Sequence, residues 1–133
     1  MTLIYLVSAP DHCRKGSVCV RAEIMTNRED PIVLYRCYNT GSHKRAKLNA
    51  MFDIFSRFKF PKTESITVFA DDERISWEWK DIWSGDELSA EENKDWAELM
   101  PHLLAFDTKP QIKDKGCLTT AMRSDMNIYL MQN

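Results

Sequence analysis

The stretch Ser65-Ile66-Thr67-Val68-Phe69-Ala70-Asp71-Asp72-Glu73 decides how the chain is read. Ile66, Val68 and Ala70 alternate with Thr67 and Phe69, the period of a strand with one buried face. Three acids follow at once. They cap a helix whose apolar stripe is Ile75, Trp79, Ile82 and Trp83, and negative charge suits the positive end of such a helix. A strand that delivers carboxylates at its C-terminal end places them where open α/β sheets commonly hold ligands.

Upstream of this stretch lie three strand patterns and a helix. Leu3 to Val7 is a continuous apolar run, Ser17 to Thr26 alternates in part, and Ile32 to Tyr38 is rich in β-branched and aromatic residues. A loop with Pro10, Asp11 and Gly16 joins the first two, and the second link, Asn27 to Pro31, is short enough for an antiparallel hairpin. Three consecutive antiparallel strands are the simplest arrangement. Asn39-Thr40-Gly41-Ser42 is a turn and cap for a helix from His43 to Phe58 with its stripe at Leu48, Met51, Phe52, Phe55 and Phe58. Downstream, Gly85 stops the second helix. Ser89 and Glu92 match a capping box, and the helix they open carries Trp96, Leu99, Met100 and Leu103 until Pro101 kinks or ends it. A short strand at Gln111 to Lys113 and a last helix from Thr119 to Leu130 complete the chain. The order β-β-β-α-β-α-α-β-α predicts an α/β fold around a five-stranded mixed sheet, one domain over residues 1–133.

Composition narrows the function classes without choosing one. The 133 residues are 44% hydrophobic and 29% charged with a net charge of −2, as for a folded domain rather than a disordered or strongly basic chain. No apolar run approaches a membrane span. Met1 to Val7 lacks a basic leader and reads as a strand rather than a signal peptide, so the expected location is cytoplasmic. The four cysteines, at 13, 19, 37 and 117, show no C-x-x-C spacing; zinc is not suggested, and reduced thiols are expected. Charge is unevenly spread: residues 1–63 carry eleven basic and five acidic side chains, residues 64–107 three and thirteen.

With these elements in place, the chain resembles a ribonuclease H-like domain over nearly its whole length. Arg45-Ala46-Lys47-Leu48-Asn49-Ala50 is similar to the family segment that carries a metal-binding Glu before Leu. Phe69-Ala70-Asp71-Asp72-Glu73 resembles the strand-four ending that supplies an Asp ligand. Trp96-Ala97-Glu98-Leu99, Lys115-Gly116-Cys117 and Met122-Arg123-Ser124-Asp125 resemble the later helix, the catalytic loop and the stretch with the final Asp. The resemblance implies a five-stranded mixed sheet and a site for two divalent ions. Matched by motif, however, the first Asp falls on Val7 or Ser8, the helix Glu on Lys47 and the loop His on Cys117. Asp71 and Asp125 keep their acids.

A lysine ammonium has no lone pair for a metal, and two-metal cleavage needs several carboxylates. The expectation is therefore a noncatalytic ribonuclease H-like binding domain without a metal, in which Lys47 and Asp71 form a pseudo-site. Its partner is expected to be a protein linked to nucleic-acid processing, engaged through Trp77, Glu91 and Asp95 on the acidic side. One alternative is a nuclease using Mg²⁺ or Mn²⁺ on an RNA–DNA hybrid, with Asp71, Asp125 and the loop residue Asp11 as catalytic ligands. Another is a noncatalytic nucleic-acid module that uses Lys44 and Arg45 on phosphate.

Overall fold

Alternation along the first strand organises the molecule. In the computed structural model, which describes residues 1–27, 30–114 and 119–132, β1 (Thr2–Pro10) turns Ile4 and Leu6 to one face of the sheet and Tyr5 and Val7 to the other. Both faces are buried there, which explains the unbroken apolar run. β1 pairs antiparallel with β2 (Val18–Thr26), which pairs antiparallel with β3 (Ile32–Tyr38). On its other side β1 runs parallel to β4 (Ile66–Ala70), and β4 runs parallel to β5 (Gln111–Lys113). The five-stranded mixed sheet has the order β3-β2-β1-β4-β5.

The larger core packs α1 (His43–Arg57), α2 (Glu73–Ser84), α3 (Ala90–Trp96) and α4 (Met100–Leu103) on the face bearing Ile4 and Leu6. α5 (Thr119–Gln132) covers the opposite face, laying Met122, Met126 and Leu130 on Tyr5, Val7 and Cys19. Local chemistry sets the helix ends. The Ser42 side chain accepts from the Arg45 N–H at α1, and Ser89 with Glu92 forms the expected capping box at α3. Gly85 ends α2 with φ 77°, a left-handed conformation costly for a residue with a Cβ.

Three expectations need correction. The helix opened by Ser89 does not run on to Pro101: α3 stops at Trp96, and Pro101 lies in the first turn of α4. A proline ring clashes with the carbonyl four residues earlier but fits a first turn, so the break comes ahead of it. Trp83 is not core like Trp79: it is 43% exposed, edge-on to Trp79 with Lys109 over its ring. Cys19 and Cys37 are not reduced thiols but a disulfide, because the β2–β3 register sets them directly opposite one another. The Lys115-Gly116-Cys117 segment lies outside the described residues.

Candidate functional site at the ends of β1 and β4

The C-terminal ends of the parallel strands β1 and β4 meet the first turns of α1, and chemistry collects there. His43 and Lys47 are one helical turn apart and share a face of α1. Ser8 continues the Ile4–Leu6 face of β1, and its hydroxyl lies 2.8 Å from His43 Nδ1. Of the two positions matched to the family's first Asp, the alternation therefore gives Ser8 to this site and Val7 to the opposite core.

Lys47 is 2% exposed. Its ammonium donates to the backbone carbonyl of Asp71 at 2.7 Å. Burial pushes the Lys47 amine down to about 8; Asp72 pulls it back up, and Arg123 and Arg74 add to the fall. Burial, then Lys47, also lowers His43. The expected pairing of Lys47 with Asp71 thus runs through the main chain. The Asp71 carboxylate instead forms an ion pair with Arg123 of α5.

Asp72 is the N-cap of α2. It accepts from the Arg74 N–H at 3.0 Å and pairs with the Arg74 guanidinium at 2.9 Å. Burial works to raise Asp72, but the hydrogen bonds from Arg74 outweigh it and hold the carboxyl below its ordinary range. The assembled site has one buried ammonium, two half-exposed guanidiniums and two carboxylates, each already matched to an arginine. None of the three cations offers a lone pair to a metal.

The other acids expected at a nuclease centre lie elsewhere. Asp125 is on α5 two residues beyond Arg123, a rotation of over half a turn, and its 53% exposed side chain pairs with Arg21 of β2 at 3.4 Å. Asp11 sits in the loop after β1, beside the Cys19 and Cys37 sulfurs. Among the described residues, no three ligand atoms from His, Cys, Asp or Glu gather around Asp71; the group that does form is Asp11, Cys19 and Cys37.

The basic and acidic candidates converge in a different place. Lys44, Arg45, Glu91 and Asp95 line one polar groove of about 740 Å³ between α1 and α3. Lys44 Nζ lies 3.1 Å from both Glu78 and Asp95, and Arg45 is 2.6 Å from Asp95. Trp96 adds an indole N–H to Glu78 at 2.9 Å. Burial would lower Lys44, but its hydrogen bonds to Asp95 and Glu78 prevail and raise it. Lys44 and Arg45 from the basic first half thus meet Glu78 and Asp95 from the acidic second half inside this network. Trp77 does not line the groove and stands 57% exposed on α2.

Sequence reasoning missed Arg123, Arg74 and the Ser8–His43 pair. The i, i+4 spacing of His43 and Lys47 and the parity of Ser8 with Leu6 were the available signals. Only the packing of α5 identifies Arg123 as the residue on Asp71.

The sequence matches no protein-family model and no curated protein. Solved structures are similar. A ribonuclease H1 from the halophilic archaeon Halobacterium salinarum NRC-1 superposes with TM-score 0.64 at 12% identity, over 90% of this chain and 89% of that one. LC11-RNase H1, isolated from compost by a metagenomic approach, gives 0.63 at 11% identity over 94% and 91%. The same LC11 enzyme in complex with an RNA/DNA hybrid gives 0.60 at 12% identity over 92% and 90%. The fold of this chain is ribonuclease H-like.

Proposed function

We propose that this chain is a noncatalytic ribonuclease H-like binding domain. The observation that carries the proposal is Lys47: a buried ammonium on the Asp71 carbonyl, with Arg123 on the Asp71 carboxylate. Hydrolysis of a phosphodiester by two metals requires carboxylates that hold divalent ions about 3.5–4 Å apart. Here fixed cations stand beside Asp71 and Asp72, the two carboxylates of the site at the end of β4, and they repel a divalent ion as well as failing to ligate it. A labelled RNA–DNA hybrid incubated with the protein and Mg²⁺ or Mn²⁺ tests this directly. Intact substrate is expected; cleavage lost on Asp71→Asn would refute it.

The partner in this proposal is a protein linked to nucleic-acid processing, held through α2. Trp77 projects into solvent, and Trp83 adds a second partly exposed indole to the same helix. Exposed tryptophans are common anchors of protein interfaces. Asp95, named with Trp77 from the sequence, is occupied by Lys44 and Arg45, which leaves exposed Glu91 as the acid of that group able to face a partner. A photocrosslinker placed next to Trp77 should capture a protein that excess wild type displaces and Trp77→Ala does not.

A second reading rests on a separate observation. Arg74 and Arg123 are half exposed at the mouth of the Lys47 site, and a structural neighbour was crystallised with an RNA/DNA hybrid. In that reading the domain holds nucleic-acid phosphates without cutting them. Hybrid binding that weakens steeply with salt and with Arg123→Gln favours it, whereas Lys44→Ala acts on stability instead.

A further inference from the structure

We propose that the segment from Arg57 to Lys62 is a docking surface for single-stranded nucleic acid. It reads Arg57-Phe58-Lys59-Phe60-Pro61-Lys62, three cations interleaved with two phenylalanines and a proline, and it leads straight out of α1. Arg57, Lys59 and Lys62 are exposed, and among the described residues none of them is in an ion pair. Lys44, Arg45, Arg74 and Arg123 differ, since each is matched to a carboxylate. Glu64, the acid nearest to the segment in sequence, is taken by the Met1 amine at 2.9 Å.

The main chain holds this ridge in place. The Phe58 N–H donates to the Ile54 carbonyl at 2.9 Å and closes α1, and the Phe60 N–H donates to the Phe58 carbonyl at 3.2 Å. Lys62 is tied in by the Asp107 N–H, which donates to its carbonyl at 2.8 Å. Phe60 meets Phe55 edge-on at 5.8 Å and lies 6.3 Å from Phe58. Phe58 and Phe60 remain partly exposed, and both line two grooves: one of about 380 Å³ on the Thr2 side and one of about 360 Å³ on the Phe106 side. Lys59 lines both grooves and Lys62 the second. Rings, recesses and free cations are thus set beside one another before any ligand arrives, which lowers the ordering cost of binding.

An occupant of this surface has to bring repeated negative charge and flat apolar groups together. A single strand brings both, with phosphates for the cations and unpaired bases for the rings. A duplex keeps its base faces stacked inside and offers the grooves nothing. The surface also lies at the far end of the sheet from Lys47. Thr2, beside one groove, and Ser8, beside His43, are six residues apart on β1, about 20 Å. It is therefore a separate surface from the arginines at the mouth of the Lys47 site.

The test is fluorescence anisotropy of labelled oligothymidylate with the full chain over a range of salt. Binding that weakens as salt rises is expected. Lys59→Gln combined with Lys62→Gln should reduce the slope of log affinity against log salt by about 1.4. Phe60→Leu, which keeps an apolar side chain but removes the ring, should weaken binding by at least about fivefold. The two lysines are exposed, so their variant decides the matter even where Phe60→Leu fails to fold. Arg123→Gln should leave binding unchanged, and a blunt duplex should compete poorly. No binding of oligothymidylate, or equal competition by the duplex, would overturn the proposal. Loss with Arg123→Gln but not with the lysine pair would overturn it too, and would move the strand to the Lys47 end. Displacement of the strand by a lower concentration of a glutamate–tyrosine copolymer would make the surface a peptide site instead.

Discussion

Lys47 and Asp71 meet through the main chain: the ammonium donates to the Asp71 carbonyl at 2.7 Å, while Arg123 takes the carboxylate. A buried amine tied to a carbonyl is charged at a cost. Its amine sits at about 8 in the folded protein against 10.5 for an unburied lysine. Between those values the unfolded chain binds more protons than the folded one, so stability rises with pH. We expect denaturant unfolding of wild type to gain up to about 1.4 kcal/mol per pH unit from Lys47 between pH 8 and 10. Lys47→Met should remove that rise, and a variant with the wild-type slope contradicts the burial argument.

The arginine on Asp71 has its own consequence. Lys47→Glu combined with Arg123→Asp exchanges two cations for two carboxylates around Asp71. Mn²⁺ affinity, measured by calorimetry, should rise by at least about tenfold over wild type. No gain would mean that the ends of β1 and β4 do not form a cation pocket even with acids supplied.

The groove between α1 and α3 makes a different demand. Removing the Lys44 charge leaves Glu78 and Asp95 facing each other in a poorly hydrated place. Lys44→Met should cost roughly 3 kcal/mol. Arg45→Met removes a more exposed partner and should cost about 0–1 kcal/mol. Equal losses from the two, read as shifts in urea midpoint, would show that Lys44 is not the keystone.

Two tryptophans on α2 separate stability from recognition. Trp79 is 3% exposed, stacks on Trp96 and donates its N–H to the Pro110 carbonyl. Trp79→Ala should cost about 3–5 kcal/mol. Trp77→Ala should change stability by no more than about 0.5 kcal/mol while weakening partner capture. A large unfolding effect from Trp77→Ala would remove the grounds for treating it as an interface residue.

Much of the architecture was legible because hydrophobic periods fix it. The β1 run, the alternation of Ile66, Val68 and Ala70, and the caps at Ser42, Ser89 and Gly85 all read correctly from local chemistry. What stayed hidden depends on tertiary register. Cys19 and Cys37 are 18 residues apart, and only strand pairing sets them opposite. Arg123 and Asp125 are two residues apart in sequence, yet the rotation of α5 sends one to Asp71 and the other to Arg21. Lys44 and Arg45 looked like a phosphate-binding face, because composition cannot reveal that α2 and α3 bring acids onto them.

The most direct measurement is Mn²⁺ titration of the oxidised wild-type protein by calorimetry, with hybrid cleavage followed in the same samples. With Lys47 and Arg123 occupying the surroundings of Asp71, the account predicts neither stoichiometric Mn²⁺ uptake nor any cleavage. Two tightly bound ions per chain, with strand scission abolished by Asp71→Asn, would contradict it.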